Sequence, residues 1–158
     1  MKPPLTLDLA WEHDLVFSGQ SNQARMTLDS GGIEGPSPVQ ALAFALAGCM
    51  GIDLVHILRK GRHDLRGVKA RLVAQRALED PHRITAVDLH YEVTGDVPPE
   101  QVQRAIDLSH DKYCSVWHSL RQDITFNARF TITRPDERRS EASARVGVTG
   151  GAEPPVKK

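Results

Sequence analysis

Apolar and polar residues alternate in two segments of the second half of the chain, residues 85–95 and residues 123–133. The apolar positions are Val87, Leu89, Tyr91 and Val93 in the first segment and Ile124, Phe126, Ala128, Phe130 and Ile132 in the second. Clean alternation predicts strands with one buried face, which is typical of antiparallel sheets. Residues 67–78 show a weaker alternation and are predicted to form another strand.

Short apolar runs separated by turn residues mark the beginning of the chain. Residues 5–11, 15–19 and 24–29 predict three short strands. The residues that follow, 30–38, are rich in glycine, proline and serine, and this composition favours a loop.

The long apolar segment after this loop predicts a helix with clear ends. Ser37 can cap the first turn with its hydroxyl, and Pro38 suits the first helical position, where no N–H group is needed. Gly61 is predicted at the C′ position that ends the helix. Nearly every residue in the N-terminal half of this helix is apolar or small. We therefore expect a central helix with protein on all sides of it, either the sheet or a partner chain.

The segment between the last two predicted strands contains two helical pieces. Pro99 opens a helix whose apolar residues recur at helical spacing. We expect this helix to break near Lys112. Cys114 then stands just before a short helix, for which Ser115 is the candidate cap.

The predicted order is three strands, a helix, two strands, a helix and a strand. This order indicates an α+β fold with a mostly antiparallel sheet. A chain of 158 residues fits one domain, which we place at residues 1–134. Residues 135–158 are polar, with almost no large apolar side chain, and are predicted to be a disordered tail.

Charge and composition exclude several classes of partner. Lysine plus arginine and aspartate plus glutamate number 20 each, so the formal net charge is zero and no overall field attracts nucleic acid or an anionic membrane. The N-terminal residues lack the apolar core of a signal peptide. The longest uninterrupted apolar run, residues 41–52, is too short to span a membrane. We predict a cytoplasmic protein with no nucleic-acid or membrane partner.

The two cysteines, Cys49 and Cys114, lie far apart in the sequence and form no local motif. Two cysteines in a cytoplasmic chain are not a structural disulfide framework. Cys49 shares a helix face with Asp53 and His56, and a buried carboxylate there needs a partner. Cys114 lies at a helix start, where N–H groups favour thiolate. Two interpretations remain: a redox pair, or, for Cys49, a small core residue.

A metal site is a third interpretation of the cysteines. His110, Cys114 and His118 would line one face if their segment were a single helix, and Cys49 would complete a set of four ligands. The break predicted near Lys112 disrupts that geometry. We therefore expect neither a metal nor another cofactor.

Two segments together resemble a known family. "PSPVQALAFALAGCMGIDLVHILRKGR", residues 36–62, and "AIDLSHDKYCSVWHSL", residues 105–120, are similar to the OsmC/Ohr family, specifically its divergent OsmC-like branch. The resemblance covers residues 5–133. It implies the OsmC fold, in which a mostly antiparallel sheet wraps a long buried central helix. It also implies an intertwined homodimer.

The resemblance further implies a chemistry for the two cysteines. Cys49 would attack an organic hydroperoxide as thiolate and become a sulfenic acid, and Cys114 would resolve it to a disulfide that a dithiol reductant resets. The role would be defence against oxidative stress. The expected pocket or supporting residues are Gln40, Phe44, Asp53, His56 and Trp117.

The sequence departs from the pattern of the family's peroxidases in the first turn of the central helix. Val39 occupies the place of their glutamate, and the neighbouring residue is Gln40. Arg25 is the only arginine before this helix, and its surroundings do not match the family's arginine segment.

Two alternatives to a peroxidase therefore stay open. One is a small-molecule binding or carrier protein with a dimer-interface pocket lined by Phe44, Met50 and Trp117. The other is acyl transfer by Cys49, with His56 or His118 as the base.

Overall fold

The computed structural model describes residues 1–135 and the backbone of residues 142–144. The chain forms two compact units, Met1–Phe44 and Ala45–Lys158. Helix α1, Pro38–Lys60, begins in the first unit and continues in the second.

The N-terminal unit contains the three predicted strands. They are β1 (Asp8–His13), β2 (Val16–Ser21) and β3 (Ala24–Asp29), and they form an antiparallel sheet in the order β1-β2-β3. Several large apolar side chains of this unit are exposed: Leu5, Leu7, Leu9, Trp11, Leu15, Phe17, Met26 and Ile33. The loop after β3 is held by the Asp29 carboxylate, which accepts backbone N–H groups of Gly31, Ile33 and Glu34 at 2.8, 2.9 and 3.0 Å.

Both ends of α1 are capped, and one of them differs from the prediction. At the start, Ser37 Oγ accepts the Gln40 N–H at 3.3 Å and Gln40 Oε1 accepts the Ser37 N–H at 2.8 Å, which is a capping box. At the end, the prediction that Gly61 is the C′ residue is wrong. Arg62 adopts the left-handed conformation instead, with φ 59°, and His63 N–H donates to Leu58 O at 3.2 Å.

Gly61 leaves room for a neighbouring side chain. A Cβ atom at this position would lie 2.8 Å from the ring of His63, so the ring would have to shift. The residue after the glycine carries the left-handed backbone.

The second unit contains a four-stranded sheet in the order β4-β5-β6-β7. Its strands are β4 (Asp64–Arg76), β5 (Ile84–Asp96), β6 (Thr125–Thr133) and β7 (Ala142–Ala144). The pairs β4–β5 and β6–β7 are antiparallel, but β5 and β6 run parallel, contrary to the expectation from their alternation. The long helical connection between β5 and β6 explains this, since it is long enough to cross over the sheet.

Strand β7 lies within the segment predicted to be a disordered tail, and the prediction did not include it. Residues 136–141 and 145–158 of that segment lie outside the described residues.

The connection between β5 and β6 breaks where the sequence predicted. Helix α2 spans Pro99–Leu108, a π-helical turn spans Ser109–Tyr113, and the short helix α3 spans Ser115–His118. We call the segment Ser109–Tyr113 the π-turn. Because the helical path changes at the π-turn, residues before and after it do not share one continuous face.

The core of the second unit confirms the alternating faces of β5 and β6. All the apolar positions predicted to face inward on these strands are buried. Helix α1 adds one buried stripe to the same cluster, consisting of Leu46, Met50, Leu54 and Leu58. Other positions of α1 are open within one chain, as Ile52 is 71% exposed. The expectation of protein on all sides of the helix is therefore not met by a single chain.

By length and composition, α1 is apolar enough to cross a membrane, and among the described residues it is the one helix that meets this test. The prediction from the uninterrupted run 41–52 underestimated its apolar length, because the helix extends beyond that run on both sides. One stripe of this helix packs in the core of the second unit.

Candidate functional site

The fold brings the two cysteines together. Cys49 lies on α1 and is half-buried, whereas Cys114 follows the π-turn and is fully buried. Both are free thiols, and Cys49 lies near enough to raise the pKa of the Cys114 thiol. Two segments that are distant in the sequence therefore bring their thiols into the same region of the second unit.

Cys114 is also the N-cap of α3. Its backbone is extended, with φ −69° and ψ 95°, and its Sγ accepts the backbone N–H of Trp117 at 3.3 Å. The prediction that Ser115 caps this helix is wrong, because Ser115 is already its first residue. The sulfur that faces Cys49 therefore also fixes the start of α3.

Burial keeps Cys114 in the thiol form. It raises the pKa of Cys114 to about 12, and the neighbouring Cys49 acts in the same direction. The N–H groups of Trp117 and Val116 lower the pKa, as expected for a helix start, but their effect is smaller than that of burial. The prediction that the helix start favours a thiolate at Cys114 is therefore wrong in its net result.

Tyr91 on β5 is a third member of the site, and sequence reasoning assigned it only to the core. It is fully buried, and its hydroxyl donates a hydrogen bond to the carbonyl of Ala47 at 2.8 Å. Burial raises the pKa of Tyr91, and the nearby Cys114, Cys49 and Asp53 raise it further. The available signal was a tyrosine on a fully apolar strand face, because a buried phenol needs a partner.

Asp53 has the partner that its position on an apolar helix requires. Ser109 Oγ donates to Asp53 Oδ2 at 2.7 Å, and Ser109 is fully buried at the first position of the π-turn. The carbonyl of Ser109 accepts the N–H of Cys114 at 2.8 Å. Ser109 was missed because its partners lie on different elements. Only its place in the segment that precedes Cys114 pointed to it.

Three aromatic rings, those of His110, Trp117 and Phe126, pack against one another beside α3. The ring centroid of His110 lies 5.1 Å from that of Trp117 and 5.1 Å from that of Phe126. Trp117 is buried in the core. His110 Nδ1 lies 2.7 Å from a carboxylate oxygen of Asp111.

The structure does not support the four-ligand metal set. The end of the π-turn separates His110 from Cys114 and His118, so the three residues share no helix face. Within residues 1–135 and 142–144, no group of three or more His, Cys, Asp or Glu side chains is placed to hold a metal ion.

The remaining predicted residues do not contact the thiol pair in the described interactions. Gln40 uses its side-chain oxygen in the cap of α1, and Phe44, 71% exposed, belongs to the N-terminal unit. His56 lies on an exposed position of α1. Arg25 of β3 lines a cleft of about 600 Å³ within the N-terminal unit, together with Asp8 and Gln20.

Comparisons with known proteins agree with this fold. The family model described as OsmC-like protein matches residues 30–129. Protein YhfA of Escherichia coli strain K12 is 37% identical over 125 residues, which cover 77% of this chain and 93% of YhfA.

Two solved structures share the architecture. The OsmC-like protein from Mycoplasma pneumoniae has a TM-score of 0.73 at 17% identity, covering 84% of this chain and 99% of that one. The organic hydroperoxide resistance protein OhrB of Bacillus subtilis has a TM-score of 0.55 at 15% identity, covering 82% and 98%. At such identities these two structures show the fold alone. The family match over more than half of the chain and the identity to YhfA carry the assignment: the chain belongs to the OsmC-like family.

Proposed function

We propose that this protein is a thiol peroxidase that reduces organic hydroperoxides and acts in defence against oxidative stress. The observation that carries the proposal is the pair of adjacent free thiols, one half-buried and one fully buried, contributed by distant segments. The name of OhrB supports the same activity on a shared fold. In this proposal Cys49 is the nucleophile and Cys114 is the resolving thiol.

The chemistry balances with these two sulfur atoms and one external reductant. The Cys49 thiolate attacks the terminal oxygen of the hydroperoxide, the O–O bond breaks, and the alkoxide leaves as an alcohol after taking a proton. Cys114 then attacks the sulfenic sulfur, the S–O bond breaks, and water leaves as the disulfide forms. A dithiol returns both cysteines to the reduced state.

The protonation of Cys114 supports this division of roles. Since the pKa of Cys114 is raised to about 12, Cys114 stays a thiol at neutral pH and is not the first sulfur to attack the hydroperoxide. Cys49 is also the more accessible sulfur, as a nucleophile must be.

We also propose that the protein acts as a homodimer. The N-terminal unit exposes Trp11, 65% open, and Leu9, 51% open, and α1 exposes Ile52. Exposed apolar surface of this extent is typical of an interface between chains. Light scattering coupled to size exclusion should therefore give twice the mass of the chain, 17.5 kDa. We place this dimer in the cytoplasm.

Intact mass and peptide mapping after one equivalent of cumene hydroperoxide, without reductant, test the peroxidase proposal. We expect rapid loss of two hydrogen atoms and a Cys49–Cys114 disulfide that a dithiol removes. Cys49→Ser should abolish the reaction, and Cys114→Ser should allow one turnover and then stall as a sulfenic acid. Equal peroxide consumption by the wild type and Cys49→Ser would refute the mechanism.

A binding protein on the same scaffold is the second candidate. The observation that favours it is the commitment of Gln40 to the helix cap, next to Val39 in the place of the family's glutamate. No acidic residue occupies the first turn of α1 to hold an arginine near the thiols. Two free thiols after long exposure to hydroperoxide, together with a small molecule that copurifies, would support this function instead.

A further inference from the structure

We propose that Asp53 and Ser109 form a positioning pair that sets the approach of Cys114 to Cys49 and thereby controls disulfide formation. The inference deepens the proposed function and rests on it for its role in turnover. Neither residue needs to touch the hydroperoxide. Their role is to hold two elements of the second unit in the register that brings the sulfur atoms together.

The hydrogen bonds define a short path between the two cysteines. Asp53 lies one helical turn after Cys49 and on the same face of α1. Its carboxylate accepts the Ser109 hydroxyl at 2.7 Å, and the Ser109 carbonyl accepts the Cys114 N–H at 2.8 Å. Ser109 therefore binds α1 with its side chain and Cys114 with its backbone.

The π-turn explains why such a pair is needed. A π-helical turn is a rare conformation with poor intrinsic stability, and it occurs frequently at functional sites. Successive residues of a regular α-helix are rotated by about 100° around the helix axis. A regular α-helical path through Ser109–Tyr113 would therefore point the Cys114 side chain in a different direction. The bond from Asp53 holds the π-turn at its first residue.

Burial of Ser109 and the charge of the Asp53 carboxylate both strengthen the hydrogen bond between them. Ser109 is fully buried, so loss of the carboxylate would leave its hydroxyl without water to replace the partner. A carboxylate acceptor also gives a stronger hydrogen bond than a neutral one. Tyr91 contacts the same region from the sheet through its bond to Ala47, so the position of α1 is defined by two independent contacts.

Two variants of Asp53 test separately whether its acceptor oxygen or its negative charge is needed. Asp53→Ala removes the acceptor, whereas Asp53→Asn keeps an oxygen for the Ser109 hydroxyl and removes the charge. Ser109→Ala removes the donor from the other side. The matched control is Asp107→Ala, which removes the 2.7 Å bond from Gln103 Nε2 within α2.

The first readout is the rate of each chemical step. In a Cys114→Ser background, the oxidation of Cys49 by cumene hydroperoxide should change less than threefold in Asp53→Ala. With Cys114 present, the conversion of the sulfenic acid to the disulfide should slow at least tenfold in Asp53→Ala and Ser109→Ala. It should stay within threefold of the wild type in Asp53→Asn and in Asp107→Ala.

The second readout is the reduction potential of the Cys49–Cys114 pair in dithiol redox buffers, which requires no peroxidase activity. A tenfold loss of effective concentration between the thiols should make the potential about 30 mV less negative in Asp53→Ala. A potential and a resolving rate unchanged in Asp53→Ala would overturn the proposal. If wild-type Cys49 does not react with hydroperoxide but the potential shifts as expected, the peroxidase function fails and the positioning role stands.

Discussion

Selective alkylation of the two cysteines is the clearest test of the site's electrostatics. Cys114 has a pKa raised to about 12 by burial, so at pH 7 about one molecule in 100,000 carries its thiolate. Free cysteine, with a pKa of about 8.5, is roughly 3% ionised at that pH. The greater nucleophilicity of a more basic thiolate compensates by roughly 40-fold. Cys114 should thus react with iodoacetamide about 100-fold more slowly than free cysteine, and burial slows it further.

The assay is peptide mass mapping after timed exposure to iodoacetamide at pH 7, with free cysteine as the rate standard. We expect the label on Cys49 alone in the folded protein and on both cysteines after unfolding in urea. The Cys49→Ser variant serves as the control, because its Cys114 should remain unlabelled until the chain unfolds. Labelling of Cys114 in the folded wild type at the rate of free cysteine would refute the view that burial dominates its pKa.

Three further substitutions test other features of the fold. Tyr91→Phe removes the bond to Ala47 and should lower the free energy of unfolding by about 1 kcal/mol in urea titrations, since that carbonyl keeps its helical partner. Arg62→Gly should raise the thermal midpoint, because glycine relieves a left-handed backbone that costs other residues about 1 kcal/mol. Asp29→Asn should remove the part of the acid-induced destabilisation that arises as pH falls below 3.8, because the backbone N–H groups of Glu34, Gly31 and Ile33 lower the pKa of that carboxyl. An unchanged urea midpoint in Tyr91→Phe would contradict the first expectation. An unchanged melting curve in Arg62→Gly would contradict the second, and an unchanged acid titration in Asp29→Asn the third.

Local patterns predicted the elements of the fold well. The alternation around Leu89 and Phe130 identified the buried faces of β5 and β6 because a strand places alternate side chains on opposite sides of its sheet. Ser37 and Pro38 placed the start of α1 because capping depends on neighbouring residues alone. The direction of β6 relative to β5 was not predictable from alternation, which is the same for parallel and antiparallel neighbours when one face is buried.

The site was less predictable because its properties depend on distant contacts. Cys49 and Cys114 were identified by residue type and by the family resemblance, and the fold places Cys49 near enough to raise the pKa of Cys114. The protonation of Cys114 depends on how many core residues cover it, which its neighbours in the sequence do not reveal. Ser109 and Tyr91 act through partners on α1, and those partners became visible only once the chain was folded.

Because Cys114 Sγ caps α3, oxidation of this sulfur atom can be followed spectroscopically. The atom that accepts the Trp117 N–H is the same atom that would become part of a disulfide, and a disulfide sulfur is a weaker acceptor than a thiol or thiolate. If the proposed disulfide forms, the indole of Trp117, which packs at a tilt against His110 and Phe126, would move with its own backbone. The tryptophan fluorescence of the protein should then change on oxidation and would report the redox state of the proposed pair.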